Sequence, residues 1–62
     1  MKRGTKIKSL VQTNAFTKGK EYTIKYIGYL PGMKNKIYEV RDNQGELHGL
    51  TSGYINNRFV KI

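Results

Sequence analysis

His48 is the only histidine in the chain, and there is no cysteine. Nucleophilic catalysis needs a nucleophile, a base and a group that orients the base. No Ser-His-Asp set, cysteine nucleophile or zinc-ligand spacing accompanies His48. Its neighbours Leu47, Gly49 and Leu50 suit an exposed position on a short strand. Three of the four acids, Glu39, Asp42 and Glu46, gather around one short segment. Turn chemistry and cross-strand pairing with Arg41 explain them better than metal binding. Lys18-Gly19-Lys20 lacks the helix that must follow a nucleotide-binding loop. The expectation is a protein that is not an enzyme, with no metal, cofactor or small-molecule substrate.

The basic and aromatic residues point to a different chemistry. The net charge is +8 and is segregated. Residues 1–36 hold nine cations against one acid, Glu21, whereas residues 37–62 hold three against three. An excess confined to one part of a chain points to a polyanion or an acidic protein surface. Small barrels bind single strands by stacking bases on exposed aromatics while cations follow the phosphates. The candidate phosphate contacts are Lys6, Lys8, Lys18, Lys20, Lys25, Lys34 and Lys36, and the candidate stacking residues are Tyr26 and Tyr29. Tyr22 and Tyr38 are assigned to the core instead. The expected ligand is a nucleic acid, DNA or RNA, bound with little sequence specificity. The rival is an acidic protein gripped by the apolar tip Tyr29, Leu30, Pro31 and Met33, with the charge steering the encounter.

The elements that must position these residues read as short strands. Tyr22, Ile24, Tyr26, Ile27, Tyr29 and Leu30 follow no helical stripe, and β-branched and aromatic residues favour a pleated surface. This places a long strand over residues 21–30, with Tyr22 and Ile24 inward and a bulge or bend expected at Gly28. A first strand is expected over residues 5–12, with a bend near Ser9, because Ile7 and Val11 share a face that Leu10 does not. Pro31-Gly32 makes a turn into a basic loop. A third strand follows over residues 37–42, with Tyr38 and Val40 on one face. Asp42-Asn43-Gln44-Gly45 is a hairpin turn leading to a fourth strand over residues 46–51. Residues 51–57 look too short and polar for a helix and are expected to form a 3₁₀ turn. A last strand over residues 58–62 brings Phe59, Val60 and Ile62 to pack. The predicted fold is all-β, a small five-stranded barrel over residues 1–62 as one domain.

A chain of 62 residues without cysteine has no disulfide to staple it, so its core must come from aliphatics, five tyrosines and two phenylalanines. Gly4, Thr5, Lys6 and Lys8 follow Lys2 and Arg3 where a signal peptide would have an apolar run. No segment approaches the roughly 20 apolar residues of a membrane span. A monomeric, cytoplasmic protein is the expectation.

The order of elements resembles the Src-homology-3-like barrel: strand, long loop, long bent strand, third strand, tight hairpin, fourth strand, 3₁₀ turn and short last strand. Phe16-Thr17-Lys18-Gly19 looks like the start of that fold's second strand, and residues 49–62 look like its closing elements. The chain is also similar to small, mostly uncharacterised proteins of phages of Gram-positive bacteria and of their hosts. The shared text is Lys18-Gly19-Lys20-Glu21-Tyr22, Asp42-Asn43-Gln44-Gly45-Glu46 and Arg58-Phe59. This resemblance covers about residues 16–62 and implies a fold rather than an activity. Many of those proteins are acidic, so the basic first half departs from their pattern. Phage proteins of this size often grip a host enzyme, so the acidic protein of the rival reading would be a host protein. The resemblance to Src-homology-3 domains places Tyr54 beside their ligand groove, as a further protein contact. Recognition of proline-rich peptides fits poorly, because tryptophan is absent and the charge has the wrong sign.

Overall fold

The computed structural model describes residues 1–29, 31–32 and 34–62. Five strands pair antiparallel in one sheet, in the order β4-β3-β2-β1-β5. They are β1 (Lys6–Ser9), β2 (Glu21–Tyr29), β3 (Lys36–Arg41), β4 (Leu47–Thr51) and β5 (Phe59–Lys61), with a helix α1 (Ser52–Arg58) between the last two. Strand β2 is the long member and serves two neighbours. Its first residues pair with β1, Ile7 facing Tyr22 and Lys8 facing Glu21. The rest pairs with β3, from Ile24 facing Val40 to Tyr29 facing Lys36. Among the described residues no ladder joins the two edge strands, β4 and β5, so the pairing gives an open five-stranded sheet and does not show a closed barrel.

The bulge in β2 lies at Lys25, not at Gly28. Ile24 faces Val40 and the next pair is Tyr26 with Glu39, which leaves Lys25 as the extra residue. Gly28 pairs regularly with Ile37. One inserted residue reverses the alternation of faces. Upstream of it Tyr22 and Ile24 are buried. Downstream, Ile27 turns to the core opposite Tyr38 while Tyr26 turns to solvent. The bulge thus puts two isoleucines three residues apart on one face.

Strand β1 stops at Ser9, short of the expected end. The Ser9 hydroxyl donates to the Val11 carbonyl at 2.7 Å and accepts the Val11 N–H at 3.3 Å. That local ring competes with continued pairing and turns the chain. Ile7 and Ser9 face inward, whereas Leu10 is 48% exposed. The last strand is likewise short. Phe59 is buried, but Val60 and Ile62 are exposed instead of packing.

Residues 52–58 form an α-helix where a 3₁₀ turn was expected. Its short length is offset at both ends. The Thr51 hydroxyl accepts the Tyr54 N–H at 3.1 Å, and the Phe59 N–H closes on the Ile55 carbonyl. Ile55 plugs the core at 2% exposure. Arg58 sits one turn beyond Tyr54 and lays its guanidinium 4.3 Å from the ring centroid. Tertiary anchoring and capping, rather than propensity, make the helix.

The core combines the fully buried Ile7, Ile24 and Val40 with a cluster of rings. Phe16 meets Tyr22 and Phe59 edge-on, at centroid distances of 4.9 and 5.2 Å. Phe16 belongs to the loop between β1 and β2, and that loop is tied to the β3–β4 turn through Asn43. Asn43 donates its backbone N–H to the Ala15 carbonyl at 2.9 Å and its side-chain amide to the Thr17 hydroxyl at 2.9 Å. Its Oδ1 accepts from the Tyr22 hydroxyl at 2.8 Å and from Lys20 Nζ at 3.1 Å. The same Tyr22 oxygen accepts the Thr17 N–H at 2.7 Å. A buried tyrosine needs such a partner for its hydroxyl, and a turn residue supplies it.

Candidate nucleic-acid interface

Strand alternation decides which basic and aromatic side chains share a surface. Lys6 and Lys8 occupy outward positions of β1, facing Thr23 and Glu21 across the ladder. Lys25 is exposed at the bulge, and Tyr26 follows it. Tyr29 faces Lys36 at the far end of the β2–β3 ladder, in the phase of the core-facing Ile27 and Tyr38 and so opposite to Tyr26. Both are exposed because the ladder there runs past the core, and Lys34 is exposed in the turn beside them. From the Lys8–Glu21 pair to the Tyr29–Lys36 pair, β2 runs about 26 Å, at roughly 3.3 Å per residue. Along that length Tyr26 is 50% and Tyr29 62% exposed, while Tyr22 and Tyr38 are buried. The bulge is what lifts Tyr26 out of the core face.

Among the described residues the only ion pair is His48 with Asp42. Lys6, Lys8, Lys25, Lys34 and Lys36 therefore have no acidic partner there. Lys20 is held elsewhere, at the opposite end of β2 from Lys36. Its ammonium is bonded to Asn43 and lies 5.7 Å from the Tyr22 ring centroid. Lys18 is exposed in the same loop, whose backbone is fixed by Gln12 Oε1 accepting the Lys18 N–H at 3.1 Å. The seven lysines thus divide into Lys6, Lys8 and Lys25 along the outer face and the bulge, Lys34 and Lys36 at the β2–β3 tip, and Lys18 and Lys20 in the β1–β2 loop.

Tyr29 and Pro31 are exposed, and Leu30 and Met33 lie outside the described residues. Tyr54 is partly buried against the core and shielded by Arg58.

His48 is not an isolated surface residue. It faces Val40 on the inner side of β4, with its ring centroid 5.5 Å from that of Phe16. Its Nε2 donates to Asp42 Oδ2 at 2.6 Å, and Asp42 has a side chain only 2% exposed. Asp42 Oδ1 accepts the N–H groups of Gln44 and Glu46 at 2.8 and 2.9 Å. Burial pushes the Asp42 carboxyl up, but the bonds from His48, Glu46 and Gln44 and the His48 charge outweigh it and hold it below its ordinary 3.8. Among the described residues Arg41 pairs with no acid, and its guanidinium donates to the Gly45 carbonyl. Asp42, Glu46 and His48 offer ligand atoms within 4.8 Å of one another. Asp42 Oδ1 is bonded within the turn and Oδ2 to His48 on β4, which is the turn and cross-strand chemistry that accounts for the position of this acid.

The outer face also has a depression that the sequence did not disclose. Gly28, Tyr29, Ile37 and Glu39 line a cavity of about 140 Å³. No family model, no curated protein and no solved structure matches this chain.

Proposed function

We propose that the protein is a non-catalytic nucleic-acid-binding module that receives a single strand along β2. Lys6, Lys8, Lys25, Lys34 and Lys36 contact phosphates, and Tyr26 and Tyr29 stack on bases. The observation that carries this reading is the exposure of both tyrosines beside lysines that have no acidic partner among the described residues. Stacking on an exposed aromatic is worth about 1–3 kcal/mol per base and tolerates any sequence. An unpaired ammonium is free to displace the counterions of a phosphate. Lys18 and Lys20 are peripheral in this reading and serve to raise the local potential.

The bent β2, its bulge and the helix linking the edge strands support a further proposal, that the open sheet is coiled as in a Src-homology-3-like barrel. Such coiling would present the outer face of β2 as a convex ridge. On the resemblance to phage proteins we further propose that the module works in a bacterial cytoplasm, with host or phage nucleic acid as the ligand.

The test is charge reversal at Lys25, Lys34 and Lys36, all exposed and away from the core. Binding of a labelled single strand should weaken and its salt dependence should flatten, by about 0.7 in slope for each phosphate that is no longer neutralised. Unchanged binding would refute the proposed interface. Binding to an acidic protein with no affinity for either single strand or duplex would turn the reading to the protein-partner alternative.

A further inference from the structure

We propose that the cavity on the outer face is a subsite for one unstacked nucleobase, with Glu39 selecting bases that present amino and imino hydrogens. The proposal rests on the nucleic-acid reading above and assigns it a specificity that the tyrosines and lysines alone would not have.

The cavity follows from the placement of two glycines. On the outer side of the sheet, Gly28 faces Ile37 across one ladder and Gly49 faces Glu39 across the next. A Cβ built on Gly49 would come within 2.9 Å of Ile37 Cγ2. The Ile37 side chain therefore leans over Gly49, onto β4. A Cβ on Gly28 would meet nothing within 4 Å. The space above Gly28 is left open, bounded by Ile37, Glu39 and Tyr29, and measures about 140 Å³. Tyr26 pairs with Glu39, is half exposed and shares the outer phase of Gly28 two residues away, so a stacking residue lies on the same face as the opening.

Glu39 is the chemically informative residue here. It is half-buried and has no hydrogen bond or ion pair among the described residues. A carboxylate in a track that follows phosphates is repelled by them, and a bound base that donates to it would offset that repulsion. Bases supply such donors. An ionised carboxylate only accepts, and two of its lone pairs can take a parallel pair of N–H groups. Guanine presents such a pair on its Watson–Crick edge, N1–H with the N2 amino group. Adenine and cytosine present one amino group each, and thymine presents an imino hydrogen flanked by two carbonyl oxygens that repel a carboxylate. The expected order is guanine first, then cytosine and adenine, then thymine. A cationic small ligand would also suit a carboxylate beside tyrosines, but a chain of net charge +8 repels it at long range and attracts a polyanion.

The experiment compares thymidine oligonucleotides that differ at one central base: thymine, guanine, inosine, adenine or cytosine. Affinities are measured by fluorescence anisotropy at one low salt concentration, and the readout is the ratio to the all-thymine strand. Guanine should bind roughly tenfold tighter than thymine, within the range of a bidentate contact to a base edge. Inosine, which lacks the N2 amino group, should lose most of that gain. In Glu39→Gln the guanine-to-thymine ratio should collapse toward one. Gly28→Val, which fills the cavity from a strand position with room for a side chain, should collapse it as well. Equal affinity for all five strands would overturn the subsite while leaving the proposed interface standing. A guanine preference that survives both Glu39→Gln and Gly28→Val would also overturn it. No binding to any strand would bring down the nucleic-acid reading itself, and the subsite with it.

Discussion

Removing the Asn43 side chain should destabilise the fold by an amount that its bonds let one estimate. Asn43→Ala deletes the bond from the Tyr22 hydroxyl and the more exposed bonds to Thr17 and Lys20. A net hydrogen bond is worth about 0.5–1.5 kcal/mol, and the exposed bonds belong at the low end. Because Tyr22 is 6% exposed, its hydroxyl would be left donating to little but water at the rim. The expected loss is about 1–2 kcal/mol in total, most of it from the Tyr22 bond. At roughly 0.05–0.15 kcal/mol per residue, a chain this short has only about 3–9 kcal/mol to lose. Each kcal/mol shifts the melting midpoint of a domain this small by roughly 4–8 °C. Urea melts of the wild type, Asn43→Ala, Tyr22→Phe and the double variant form a complete cycle. Tyr22→Phe keeps the ring that Phe16 packs on and removes only the hydroxyl. A coupling of about 1 kcal/mol between the two sites is expected. Additive effects, or a midpoint for Asn43→Ala indistinguishable from wild type, would refute the claim that this turn clamps the β1–β2 loop.

Thr51→Ala removes the cap of α1 and should cost about 1 kcal/mol, read as a lower urea midpoint with an unchanged slope. The loss should be larger than that of Ser52→Ala, which leaves the cap in place. The Asp42 carboxyl gives a pH dependence with a definite sign. Its value in the folded state is below the ordinary 3.8, so the folded protein holds that proton less tightly than the unfolded chain does. Its contribution is complete above roughly pH 5 and falls away as the pH drops through 3.8 and then through the lower folded value. Asp42→Asn should therefore flatten the acid limb of a stability-versus-pH curve. An unaltered acid limb would show that Asp42 is not its source.

The features legible in the sequence were those with local signals. Tyr22 and Ile24 inward, Tyr38 and Val40 inward, and the Asp42–Gly45 turn all follow from alternation and turn chemistry. The five antiparallel strands followed with them, each within a few residues. The bulge at Lys25 was hidden, because a Tyr-Ile pair after Lys25 looks the same whichever of the two faces the core. Gly28 offered a plausible bend and drew the expectation to itself. The helix over residues 52–58 was hidden for another reason. Its sequence is polar, and what holds it is Ile55 in a distant core and a cap from the preceding strand. His48 looked exposed because its partner, Asp42, lies across a hairpin. An aspartate opening a tight turn is a signal that could have suggested it. The candidate interface was legible as composition but not as geometry. Nothing in the charge pattern said that Lys20 would be drawn to Asn43, or that Gly28 and Gly49 would open a cavity beside Glu39.

The most direct test of the proposed interface is a fluorescence-anisotropy titration of the wild-type protein. It would use a labelled single strand and a labelled duplex at roughly 50 and 200 mM salt, the range over which phosphate contacts declare themselves. Five phosphate contacts to a single strand imply a slope of about −3.5, so affinity should fall about a hundredfold between the two conditions. The single strand should bind more tightly than the duplex, because only unpaired bases can stack on Tyr26 and Tyr29. Absence of binding at the lower salt, or binding that does not respond to salt, would contradict the assignment of β2 as a nucleic-acid track.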